Sequence, residues 1–134
     1  YGNDHFIHTI FKVSEDRQSF FLPAACLPGT ELWLMERDEN YMFAGVETMM
    51  TELARQLGDQ QPVAVFHTDC AARGKFMFNR ILKDEIIARM QYPICQGEPV
   101  PWLGSYGFGE FSPVAGVNRF HTQTSSLYVL TRAQ

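Results

Sequence analysis

The chain has no run of lysine or arginine, no apolar stretch of membrane-spanning length, no internal repeat and only three cysteines, Cys26, Cys70 and Cys95. Each absence excludes a class of protein. Eleven basic residues against 15 acidic ones give a formal charge of −4, so no phosphate-tracking surface is expected and nucleic acid is a poor partner. Crossing a bilayer takes roughly 18 to 20 consecutive apolar residues, and no such run occurs, so no membrane contact by this domain is expected. An odd, widely spaced set of cysteines makes no disulfide framework and fits a reducing compartment, which makes a cytoplasmic location the expectation. The chain opens on Tyr1 with no basic-apolar-small leader and reads as a fragment of something longer.

What is present is a foldable core. Hydrophobic residues are 46% and charged residues 19% of 134, the composition of one globular domain spanning 1–134. Phe6 to Val13 and Ser19 to Leu22 flank the polar turn 14–18 and predict a hairpin. After Pro28-Gly29, the run Glu31 to Arg37 predicts a third strand with a buried face. Asp38 and Asn40 offer capping oxygens for a helix over 41–57, whose Phe43, Val46, Met50, Leu53 and Leu57 fall at helical steps and which Gly58 ends. A strand over 61–66 then stops at His67, Thr68, Asp69 and Cys70. A second helix follows on Phe78, Leu82, Ile86 and Met90, with Pro93 just past its end. Two closing strands, 102–111 and 119–131, complete the order βββαβαββ. Strands bunched at both ends predict an α+β fold with a mostly antiparallel sheet and about two main helices.

Several residues carry chemistry. Cys70 ends a strand before a helix start, where unpaired N–H groups favour an anion, so the thiol is a candidate ligand contact or nucleophile. Asp69 beside it opposes that reading. Arg73 is placed to grip a carboxylate or phosphate through two N–H groups. Gly104, Gly107 and Gly109 strip side chains from a strand-like segment closed by Glu110, which makes room for close backbone approach. No helix follows them, so they form no dinucleotide loop, and no cofactor is implied. Cys70, His121 and Glu110 could imitate a cysteine-hydrolase triad, although half-buried imidazoles usually serve as hydrogen-bonded structural groups. His5 and His8 fall where a strand is expected and so face opposite sides, and His67 with Cys70 lacks the two further ligands a metal site needs. Met42, Met49 and Met50 read as core and rim of the first helix.

The segments Gly29 to Met35, Cys70-Ala71-Ala72-Arg73-Gly74, Gly104-Ser105-Tyr106-Gly107-Phe108-Gly109-Glu110 and His121-Thr122-Gln123-Thr124 occur in an order that resembles the C-terminal half of the FIST domain, over about residues 5 to 131. Thr122 stands where that family more often has Asn, removing an amide that both donates and accepts. The resemblance implies a non-catalytic sensor of small molecules such as amino acids, linked covalently to a FIST N-terminal half and to a signalling output domain. On that expectation Arg73 meets a ligand carboxylate and Glu110 an ammonium. Tyr106, His121 and Gln123 tune fit, and Cys70, Gly107 and Gly109 line the site. A protein-interaction module, presenting Trp102, Tyr106, Phe108 or Phe111 to a partner, is the rival.

Overall fold

The computed structural model describes residues 5–76 and 80–132, so the expectation for Phe78 lies outside the described residues. Two very short strands, β1 (Lys12–Val13) and β2 (Phe20–Phe21), form the first hairpin. Helix α1 (Glu39–Leu57) follows, then β3 (Pro62–Cys70), a π-helical turn (Ala71–Lys75) and α2 (Arg80–Cys95). The chain closes with β4 (Trp102–Gly107), β5 (Glu110–Val114), β6 (Val117–His121) and β7 (Ser125–Thr131). The central sheet has the order β4-β3-β7, with β4 parallel and β7 antiparallel to β3, while β5 and β6 pair as a separate hairpin. The α+β class holds.

Local chemistry accounts for the elements. Asp38 Oδ1 accepts from Tyr41 N at 3.1 Å and caps α1, and Gly58 at φ +53° ends it. Ala115 and Gly116 both take positive φ, 49° and 77°, as a two-residue turn matched to the strand twist of the β5–β6 hairpin requires. Both helices bury apolar residues against one face of the sheet. Val46 and Met50 of α1 meet Ile86, Met90 and Ile94 of α2 over Val65 of β3, flanked by Trp102, Leu127 and Val129. Met42 and Met49 pack at the rim of this core.

Four expectations need correction. Glu31 to Arg37 forms no strand, and Leu32 to Met35 stand in solvent, with Leu34 88% exposed. A continuous apolar run reports a preference, but a strand also needs a neighbour for its backbone groups, and no described residue supplies one. β3 does not stop before His67; it runs through Cys70, because its backbone stays paired with β4 as far as Gly107 and with β7 as far as Ser125. Pro93 lies inside α2, two residues before its end, where it removes one N–H bond of the helix and crowds the carbonyl four residues earlier. The two closing strands are four, broken at Phe108-Gly109 and at 122–124. The reason is topological: α2 carries the chain across the sheet so that β4 can pair in parallel with β3, a connection that two hairpin-linked strands could not make.

Candidate functional site

The parallel strands end together. Cys70 pairs with Gly107 and Asp69 with Tyr106, while Asp69 also faces Ser125 of β7. Cys70 N donates to Thr124 O at 3.0 Å, which draws the 122–124 turn over the same end. From the π-helical turn Arg73 folds back, and its Nη1 donates to Asp69 Oδ1 at 3.0 Å in a buried ion pair. Gly74 permits this closure. A Cβ there would collide with Asp69 Oδ2 and stand 2.7 Å from the Tyr106 ring. Arg37 Nη1 donates to Ala72 O at 3.0 Å, so the exposed 31–37 segment is pinned beside the turn.

Glu110 opens β5 directly opposite His121 on β6, and both side chains are buried. Glu110 Oε2 accepts from Thr124 Oγ1 at 2.8 Å. On the other face of this hairpin Phe111 and Phe120 meet edge to face at 5.6 Å. The space a Cβ of Gly109 would need is filled by the Phe120 ring, so Gly109 serves packing.

The segment 6–9 lies across the turn as a strap. Thr122 N donates to Ile7 O at 2.8 Å, Thr9 N donates to Thr122 Oγ1 at 2.6 Å, and Gln123 Nε2 donates to Thr9 Oγ1 at 3.1 Å. His8 stacks on Phe120 at 6.3 Å and Phe6 meets His121 edge-on at 6.4 Å. Thr122 therefore holds the strap through its hydroxyl. Gln123 sits at φ +64°, a left-handed conformation that costs a non-glycine residue of order 1 kcal/mol.

The electrostatics follow from burial. Asp69 is pushed above the ordinary carboxylate value by desolvation, which the Arg73 charge and hydrogen bond oppose. Glu110 is raised for the same first reason, and bonds from Thr124 oppose it. Burial, then the Arg73 charge, lowers His67 to about 4, and its Nε2 lies 2.8 Å from Ser125 Oγ. His8 is lowered by burial and then by His121, and Tyr106 is raised by burial first.

Among the described residues, the buried side-chain polar atoms that lack a partner fall in this neighbourhood: Asp69 Oδ2, Glu110 Oε1, His121 Nε2, Gln123 Oε1 and His8 Nδ1. A buried polar group left without a partner costs roughly 1 to 3 kcal/mol. A groove of about 840 Å³ lies elsewhere, between the helices, lined by Glu47, Met50, Ala54, Arg89, Tyr92 and Pro93.

The structure thus gathers Cys70, Arg73, Tyr106, Gly107 and Glu110 at one sheet end and sets His121 and Gln123 beside them under the strap. It does not join Cys70, His121 and Glu110 by hydrogen bonds: His121 Nε2 has no partner and Glu110 Oε2 is held by Thr124. Among the described residues no three His, Cys, Asp or Glu side chains are grouped to hold a metal. Sequence reasoning missed Asp69, His67, Thr124 and the strap residues His8 and Thr9. For Asp69 a signal exists, since Asp69 and Arg73 stand four apart with opposite charge, the spacing of an ion pair across one helical turn.

The residues gather at the carboxyl ends of the one parallel strand pair among the described residues, β3 and β4. The FIST C domain family matches residues 1–113, and the chain belongs to it, a sensory domain of signal-transduction proteins. The His121 to Thr124 turn lies beyond the matched span. No curated protein matches the chain. No solved structure matches it either.

Proposed function

We propose that this sensory domain binds a small molecule bearing an ammonium and a carboxylate, such as an amino acid, at the end of β3 and β4. Glu110 Oε1 accepts from the ammonium, and Arg73 meets the carboxylate through the guanidinium edge that Asp69 does not use. Tyr106, His121 and Gln123 set the fit, while Cys70 and Gly107 shape the wall. In this reading the domain is not an enzyme, works in the cytoplasm, and is covalently linked to a FIST N-terminal half and an output domain. The observation that carries it is the grouping of unpartnered buried polar atoms, three of them oxygen acceptors in want of donors.

Calorimetry with the twenty common amino acids tests the proposal, with Glu110→Gln and Arg73→Ala as variants. Losing a buried, hydrogen-bonded charge partner costs about 2 to 5 kcal/mol, so affinity should fall at least about 30-fold in each variant. Unchanged affinity in either variant withdraws that residue's role. A second reading, a protein-interaction module, is favoured by the exposure of Tyr106, Phe108 and Phe111. Trp102 does not join them, since it packs against the core.

A further inference from the structure

The strap is held unlike the rest of the fold. Residues 5–10 form no helix or strand, and none of them is buried; Phe6 and Ile10 are 48% and 41% exposed. The hydrogen bonds that tie the strap down go to Thr122 and Gln123. Thr122 donates from its N–H to Ile7 O and accepts at its hydroxyl from Thr9 N, and Gln123 adds its bond to Thr9 Oγ1. Phe6 contributes ring contacts to His121 and to the Arg119 guanidinium, 5.7 Å away, from a half-exposed position.

What this cover closes over is polar. Glu110 and His121 are 2% and 4% exposed. Glu110 Oε1, His121 Nε2 and Gln123 Oε1 are buried with no protein partner among the described residues. An apolar group gains by being sealed from water, whereas an acceptor without a donor loses, so a strap with no buried anchor is shut over groups that favour its lifting. We infer that the strap is a lid over the Glu110 end of the site, lifted in the free domain and shut by a molecule that carries hydrogen-bond donors to Glu110 Oε1 and Gln123 Oε1, with Thr122 as its latch. A ligand shifts such an equilibrium only through contacts that differ between the two states, and donors held to these acceptors away from water are contacts of the closed state. The inference rests on the ligand reading for what shuts the lid; what lifts it is a property of the chain alone.

Amide hydrogen exchange of the chain, followed residue by residue in NMR spectra, tests it. Without amino acids, Thr9 and Thr122 N–H should exchange, each relative to its intrinsic rate, at least about tenfold faster than Val65 N–H, which bonds to Pro101 O in the core. Glu110→Gln keeps an oxygen for Thr124 and removes the buried charge, so it should slow both strap amides at least about threefold with no amino acid present. A mixture of the twenty common amino acids should slow them at least about tenfold in the wild-type chain. Strap amides as slow as Val65 in the free wild type overturn the inference, because the strap is then a fixed part of the fold. So does a Glu110→Gln variant with unchanged strap rates. Strap amides that open freely and respond to Glu110→Gln but not to the mixture keep the lid and withdraw the amino acid.

Discussion

Along β3 the inward positions change character halfway. Val65 joins an apolar core in which Met90 and Ile86 are sealed, whereas His67 and Asp69, equally buried, face imidazole, guanidinium and carboxylate groups. The first half is saturated with contacts. The second half keeps acceptors without donors while excluding water almost as thoroughly. Burial alone therefore does not mark the core of this protein. One end of the strand supplies stability through apolar area, and the other holds polar groups in a fixed arrangement at some cost to it.

Breaking the polar half should be as damaging as breaking the apolar one, and for a different reason. Asp69→Ala strands the buried Arg73 guanidinium and should cost about 3 to 5 kcal/mol in urea unfolding. The double change to Ala at 69 and 73 should recover part of that loss, and additive losses would show that the pair is not coupled. Met90→Ala in the apolar half should cost about 2 to 5 kcal/mol, with no recovery by any polar substitution.

His67 sharpens the comparison through pH. Its folded value of about 4 lies below the ordinary 6.5, so the native state binds fewer protons than the unfolded one. Its contribution is complete above about 6.5 and is lost as pH falls towards 4, a span of order 3 kcal/mol. His67→Gln, which keeps a partner for Ser125, should flatten the urea midpoint between those pH values, and an unchanged slope would remove His67 as the cause. Glu110 has the opposite sign. Its raised value means that stability present below the ordinary carboxylate range is lost as pH rises through the folded value. Glu110→Gln should therefore raise the urea midpoint at pH 8 by a smaller margin, read against the same protein at pH 4.

The apolar half was legible from the chain and the polar half only in pieces. Steps of three and four along α1 located Val46 and Met50, and Asp38 and Gly58 marked its ends, because these signals are local. The Cys70 to Gly74 turn and the Gly107 to Glu110 run were each visible, but their meeting depends on β4 crossing over to pair with β3. Nothing within 102–111 encodes that partner. Leu32 to Met35 illustrate the converse: strong strand preference without a neighbour leaves exposed chain. The strap leaves no mark in the sequence, because hydroxyls such as Thr9 and Thr122 carry no distinctive spacing.

Gln123 offers a way to separate backbone from side chain. Because the residue lies at φ +64°, glycine would relax the main chain there, whereas alanine would keep the conformational burden and lose the amide. The two replacements share the loss of the bond to Thr9, so the difference between them reports the torsional energy of the turn over the end of β3, less the greater freedom glycine gives the unfolded chain.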